Sequence, residues 1–141
     1  MDHVVYVDAK ARELEKLLAG AKTMIVRGAT GRKLPHGRVQ PDDRLFFIEN
    51  KGGGLVRASA IVSDVVNSET LTEGQSVDLI TSHQPKLNLT PEQVKRWAGK
   101  RYLVLIGVKD IHILTPFAID RSQYGNMDDW LPVGDIKSVQ K

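Results

Sequence analysis

The sequence predicts an α+β fold, a small β-barrel of five or six strands with two or three flanking helices. Strand-like apolar runs outnumber helical segments, and the helices are too few to cover both faces of a parallel sheet. No repeat and no change in composition divides the 141 residues, a length typical of one domain. We therefore expect a single domain over residues 1–141, with residues 120–141 as a C-terminal tail packed on it.

The first predicted element is a short buried strand, VVYV at residues 4–7, because its residues are β-branched or aromatic. Asp8 is suited to cap a helix that follows this strand and ends at Gly20. KTMIVRG, residues 22–28, predicts the second strand. The next segment, residues 29–43, is rich in glycine, proline and charge, and its length predicts a functional or mobile loop.

Two further strands are predicted at RLFFIEN (44–50) and LVRASAIVSDVV (55–66), joined by KGGG as a hairpin connection. The triple glycine lacks the following helix and the Lys-Ser/Thr pair of a phosphate-binding loop, so the pattern favours a turn. Residues 71–84 predict a weak helix or an irregular excursion.

A clearer helix is predicted within NLTPEQVKRWAG, where Thr90 and Gln93 form a capping box around Pro91. The apolar spacing of this helix places Trp97 in the core and not on the surface as a base-stacking platform. The remaining elements are two strands, RYLVLIGV (101–108) and IHILTPFAI (111–119), ahead of a tail that shows no helical or strand period.

The chain contains no cysteine, which excludes disulfides, thiolate nucleophiles and cysteine-bound metal centres. Its four histidines, His3, His36, His83 and His112, are not spaced as a metal-ligand pair. We therefore predict neither a metal nor another cofactor.

The N-terminal sequence, MDHVVYVDAKARE, becomes charged too early for a signal peptide. No apolar run reaches the length of a membrane span. We expect a soluble, cytoplasmic protein without a membrane partner.

Positive charge is concentrated in two blocks of the chain, although the net charge is only +3. Residues 22–57 and residues 95–109 each carry a net charge of +5, whereas residues 58–94 carry −4. Two interpretations are open for the basic blocks. They form an ordinary solvated surface, or they meet in space as a patch that faces phosphate groups.

Four residues, Gly20, Lys22, Ile25 and Arg27, follow a predicted helix and precede a basic loop and the strand DRLFFIE. This arrangement resembles the signature of the ASCH domain, Gly-x-Lys-x-x-Glu-x-Arg, within the PUA-like superfamily. Three of the four positions match, whereas Ile25 stands at the acidic position. The resemblance implies a PUA-like barrel with a cleft between the helix, the motif strand and the loop that follows it.

The same resemblance implies that the ligand is RNA or a modified nucleotide. Lys22 and Arg27 would then line the cleft, the loop cations would hold phosphate, and aromatic residues of the tail would stack on a base. The predicted nucleic-acid-binding residues are Lys22, Arg27, Arg32, Lys33, Arg38, Arg57, Tyr124 and Trp130.

Structural interpretations compete with these roles. Lys22 at the start of a strand can simply be solvated. Trp130, beside Pro132, can be a buried anchor for the tail. Arg27 can form a structural ion pair with one of three acids, Asp42, Asp43 or Glu49.

Some ASCH-type proteins are amidohydrolases that remove the acetyl group from N4-acetylcytidine, so an enzymatic function stays open. The resemblance would make Lys22 the catalytic base, with Thr23 as the only hydroxyl residue of the motif strand. Glu69 and Glu73 are the candidate downstream acids. Ile25 occupies the position of the hydroxyl residue in those enzymes, so the lysine alone matches.

A third possibility is a protein-interaction module, because the acidic stretch of residues 58–94 has no role in either of the other two functions. Of the three, we expect binding of RNA or a modified nucleotide through a basic cleft, with the amidohydrolase and the interaction module as alternatives. The sequence names no protein partner.

Overall fold

The chain folds into six strands, three α-helices and one short 3-10 helix, and the computed structural model describes all of residues 1–141. The strands are β1 (Asp2–Val7), β2 (Met24–Ala29), β3 (Arg44–Glu49), β4 (Leu55–Asn67), β5 (Tyr102–Ala118) and β6 (Trp130–Gly134). The helices are α1 (Glu13–Leu18), α2 (Glu73–Leu87) and α3 (Pro91–Trp97), with the 3-10 helix at Ile136–Ser138. None of the helices has the length and apolar character needed to span a bilayer.

All six strands form one curled sheet in the order β2-β5-β4-β3-β1-β6. Only β1 and β3 pair in parallel, and every other neighbouring pair is antiparallel. The predicted α+β fold of five or six strands with two or three helices is confirmed, with six strands and three α-helices. The sheet does not close on itself, because β2 and β6 are its two edges and do not pair, which leaves a half-barrel with an open seam.

The core has three parts, one inside the curled sheet and two on its outside. The interior cluster contains 15 residues from the strands, α1 and the loop between β2 and β3, including Trp130. One outer cluster lies under the C-terminal tail, and the other lies between the β2–β5 part of the sheet and the helices α2 and α3. Burial of apolar area at roughly 25 cal/mol per Å² is the main stabilising force on both faces.

The strand β2 alternates regularly between these clusters. Ile25 points into the interior cluster, while Met24 and Val26 pack against the helices on the outside. Ile25 stands at the acidic position of the motif. Its side chain is completely buried among apolar neighbours. An ionised carboxylate there would be strongly disfavoured without a partner.

Of the two interpretations of residues 71–84, the helix is confirmed: α2 (Glu73–Leu87) has 15 residues and begins with a capping box formed by Thr72 and Gln75. Two other sequence predictions about local structure are wrong. The two strands predicted over residues 101–119 are one continuous strand, β5. The tail contains β6, which pairs with β1 through Val4 and Leu131. This pairing joins opposite ends of the chain, so no local pattern indicates it.

Trp130 is almost completely buried, with 1% of its surface exposed. Its indole N–H donates a hydrogen bond of 3.0 Å to His3 Nδ1, which makes that nitrogen the acceptor. His3 Nε2 then carries the proton and donates to Asp43 over 2.9 Å. The prediction that Trp130 is an exposed base-stacking platform is therefore wrong, because the ring has no free face.

We expect Trp130→Ala to lower the free energy of unfolding by about 3 to 5 kcal/mol, since it removes a large side chain from the interior cluster. Trp130→Phe is the matched variant, because it keeps an aromatic ring and loses the hydrogen bond to His3. Its free energy of unfolding should therefore decrease less than that of Trp130→Ala. Urea unfolding of the three proteins measures both effects. An unchanged urea midpoint for Trp130→Ala would contradict the anchor role.

Candidate functional site

The largest cavity is a cleft of about 410 Å³ at the seam of the half-barrel. Five parts of the chain converge on it, represented by Tyr6 at the end of β1, Arg27 in β2, Asn50 after β3, Trp97 in α3 and Asp129 just before β6. We refer to this cavity as the cleft. Its walls come from both edges of the sheet, so the incomplete closure of the barrel creates it.

Arg27 forms the floor of the cleft, with 7% of its surface exposed. Its Nη1 donates to Val26 O over 2.9 Å, and its Nη2 reaches across the seam to Tyr6 O over 2.7 Å. Its Nε–H is buried and has no hydrogen-bond partner. Asp129 Oδ2 lies 3.3 Å from Nε and forms an ion pair, but not with hydrogen-bond geometry.

Two indole rings flank this guanidinium. The Arg27 Cζ atom lies 5.9 Å from the ring centroid of Trp97 and 5.8 Å from that of Trp130. Both distances allow cation–π attraction, which contributes to holding a buried charge in one position. Trp130 thus positions Arg27 from inside the core.

The ion pair of Arg27 corrects the sequence analysis. None of the expected partners, Asp42, Asp43 or Glu49, pairs with it. Asp43 binds His3 instead, and the carboxylate beside Arg27 is Asp129. The pairing of the tail with β1 brings this residue to the seam, because the Tyr6 N–H donates to Asp129 O over 2.9 Å.

Lys22 does not line the cleft, which corrects the prediction from the motif. Its side chain is fully buried, and Nζ donates to Leu87 O over 2.5 Å. Glu13 Oε1 lies 3.5 Å from Nζ, and Glu13 Oε2 accepts from the Asp8 N–H. Burial lowers the pKa of Lys22 to about 8, although the nearby Glu13 carboxylate opposes this shift.

The other proposed catalytic residues lie apart from Lys22. Thr23 is exposed, because the regular strand begins only at Met24 and the alternation does not extend back to Thr23. Glu69 is exposed and pairs with Arg32 over 3.7 Å, and Glu73 is exposed at the start of α2. The carboxylate beside Lys22 is Glu13 of α1, which also lines the cleft.

A second cavity of about 240 Å³ adjoins the cleft, and we call it the groove. The two cavities share Arg27 and Asp129 in their walls. The groove also carries Lys33 from the first basic block and Arg96 and Lys100 from the second. The two basic blocks of the sequence therefore meet in space along the groove.

Gly28 allows the second block to approach this closely. A Cβ atom at Gly28 would lie 2.8 Å from the Leu103 side chain and 3.2 Å from Lys100 Cβ. Both contacts are shorter than normal van der Waals distances between carbon atoms. Glycine at this position lets Lys100 pack directly on β2.

The cleft itself is not basic, unlike the cavity expected from the sequence. The four cationic side chains in its wall face an equal number of carboxylates. The cations are Arg27, Lys51, Arg96 and Arg121, and the acids are Asp8, Glu13, Asp128 and Asp129. Of the cleft and the groove, only the groove has an excess of positive charge, since Asp129 is its sole acid.

Of the eight predicted binding residues, only Arg27 and Lys33 line the cleft or the groove; besides Lys22 and Trp130, four others line neither cavity. Arg32 is exposed above the ring of Tyr102, at 5.6 Å from its centroid. Arg38 is exposed on the long loop, and Arg57 is half-buried in β4. Tyr124 packs against the outer cluster under the tail, and its hydroxyl donates to Pro132 O over 3.4 Å.

Several residues of the site were not predicted from the sequence. Arg96 lies over the Trp97 ring at 4.4 Å from its centroid, and Arg121 lies over the Tyr6 ring at 5.2 Å. The adjacent pair Arg96 and Trp97 within a basic block was the available signal. No sequence signal pointed to Asp129, because this residue reaches the site only through the pairing of β6 with β1.

Three crystal structures of ASCH from Zymomonas mobilis, two of them of single-residue mutants, are similar to the chain with a TM-score of 0.67. They are 14% to 15% identical to it over 92% of its length, and the match covers 85% to 87% of their own chains. No protein-family model and no curated protein matches the chain. The structural likeness confirms the predicted fold, because the chain has the fold of these ASCH structures.

We expect the buried Lys22 to make stability depend on pH in the alkaline range. The native pKa is about 8 and the ordinary value is 10.5, so the unfolded state binds more protons between these values. Stability should therefore rise from pH 8 to 10.5, by about 3 kcal/mol in total.

Lys22→Met should lack this rise, because nothing titrates at position 22. Lys95→Met, which changes an exposed lysine, should retain it. Urea unfolding of the three proteins across this pH range provides the measurement. If the free energy of unfolding changed with pH in the same way for wild type and Lys22→Met, the result would contradict the lowered pKa of Lys22.

Proposed function

We propose that this chain binds single-stranded RNA, with one unpaired base in the cleft and the neighbouring phosphates along the groove. The observation that carries the proposal is the unpartnered N–H of Arg27 in the wall shared by both cavities. A buried donor without a partner costs about 1 to 3 kcal/mol. A ligand that supplies an acceptor to Arg27 removes this cost.

The cleft has the size and chemistry for a base. Its volume of about 410 Å³ lies in the range of small-molecule sites. Its balanced donors and acceptors suit a neutral ring whose edge carries both. Unpaired bases stack on arginine planes as well as on aromatic rings, and Arg96 and Arg121 border the cleft over Trp97 and Tyr6.

The groove has the chemistry for phosphate. Lys33, Arg96 and Lys100 come from separate elements and face a cavity with one carboxylate. Contacts of this kind hold the backbone of a nucleic acid without reading its sequence. The ASCH-type resemblance supports the same assignment, because it implies RNA or a modified nucleotide as the ligand.

We expect Arg27→Gln to lower the affinity for a single-stranded RNA oligonucleotide about tenfold or more, the effect of losing a charge-assisted hydrogen bond. Lys109→Ala is the control, because Lys109 is an exposed cation that lines neither cavity. Filter binding measures the affinities, and thermal melts check that each variant is folded. Equal affinities for Arg27→Gln and Lys109→Ala would contradict the proposal.

Binding should also weaken as salt increases, by roughly 0.7 in log K per log unit of salt for each phosphate contact. Replacing Lys33 and Lys100 with alanine should make this slope shallower. No binding at low salt would exclude RNA and favour the protein-interaction module. A salt-independent affinity would contradict the role of the groove.

A second candidate function, hydrolysis of a modified nucleoside, is favoured by one observation. The lowered pKa of Lys22, about 8, is suitable for a general base near neutral pH. However, Lys22 lies behind Glu13 and does not contact the cleft, so binding without turnover explains the arrangement better.

The wild type should therefore leave N4-acetylcytidine intact in a chromatographic assay. Release of cytidine that disappears in Lys22→Met would make the amidohydrolase the better assignment.

A further inference from the structure

We propose that Asp129 determines the charge preference of the cleft. Its carboxylate holds the position beside Arg27 that an anionic ligand group would take, so the cleft accepts a neutral base edge and leaves phosphate to the groove. This inference rests on the proposed function and specifies which chemical group of the ligand reaches Arg27.

Asp129 has a fixed backbone and a free side chain. Its carbonyl accepts a hydrogen bond of 2.9 Å from Tyr6 N, and β6 begins at the next residue. Its side chain is 43% exposed and lies in the walls of both the cleft and the groove. The carboxylate can therefore rotate without disturbing the pairing of β6 with β1.

The present contact between Asp129 and Arg27 leaves a hydrogen bond unmade. Oδ2 lies 3.3 Å from Nε, yet the Nε–H has no hydrogen-bond partner. A ligand acceptor reaches Nε by taking the place of this oxygen, and the exchange adds a hydrogen bond without breaking one. The carboxylate, turned aside, remains close enough to balance the buried guanidinium charge.

This exchange favours a neutral ligand group. A phosphate at Nε would lie beside the Asp129 carboxylate, and like charges at short distance repel strongly. A nucleobase edge with neighbouring acceptor and donor avoids this repulsion. Its acceptor takes the Arg27 N–H, and its donor binds the displaced Asp129 carboxylate.

Calorimetric titration with inorganic phosphate at constant ionic strength tests the proposal. Asp129→Asn keeps the size of the side chain and removes its charge. Asp128→Asn is the matched control, because it removes the same charge from the same cleft at a residue that does not pair with Arg27.

We expect Asp129→Asn to bind phosphate about tenfold more tightly than wild type, the effect of one charge-assisted hydrogen bond. Asp128→Asn should differ from wild type less than twofold. Adding Arg27→Gln to Asp129→Asn should abolish the gain, which assigns the phosphate to Arg27. Asp129→Ser provides the same comparison with a shorter side chain.

An equal gain in Asp129→Asn and Asp128→Asn would mean general electrostatics and would overturn the proposal, as would no gain in either. These outcomes are separate from those for the proposed function. If wild type fails to bind RNA, the proposed function is wrong, regardless of the result of the phosphate titration. If wild type binds RNA through Arg27 and the phosphate gain is absent, only the role of Asp129 is wrong.

Discussion

The guanidinium of Arg27 joins the two sides of an incomplete barrel, and the candidate site depends on this contact. β2 and β6 are sheet edges that do not pair, so no backbone ladder closes the seam. Arg27 spans it from β2, with hydrogen bonds to the carbonyls of Val26 and Tyr6 and an ion pair with Asp129. A single side chain thus connects β2 to β1 and to the start of β6. The cleft is the space that this arrangement leaves open.

Removing a guanidinium from water costs free energy, and the groups around Arg27 offset most of this cost. Two carbonyls, one carboxylate and the rings of Trp97 and Trp130 surround it. Nε is the one guanidinium nitrogen without any hydrogen-bond partner, and Arg27 lies in the wall of the largest cavity. Buried polar groups in folded proteins are nearly always paired, so an exception at a cavity points to a ligand. Lys22 differs, since its burial is satisfied within the protein by Leu87 O and Glu13.

Local sequence patterns predicted the parts of the fold that depend on local physics. The capping box at Thr90 predicted α3, and the apolar spacing of that helix predicted that Trp97 belongs to the core. Contacts between distant segments were not predictable in this way. Asp129 and Trp130 reach β1 only through the pairing of β6, and Lys22 turns inward because the regular strand starts two residues after it. The two basic blocks were visible in the sequence, but their meeting along the groove follows from the fold.

Nuclear magnetic resonance of the arginine Nε–H groups tests the central claim most directly, because it observes the unpartnered donor itself. Titration with a single-stranded RNA oligonucleotide should shift the Arg27 Nε–H resonance. The resonance of Arg12, an exposed side chain paired with Glu15, should stay unchanged. The opposite result, a response from Arg96, which lines both cavities, with no change at Arg27, would mean that RNA binds without reaching the unpartnered donor.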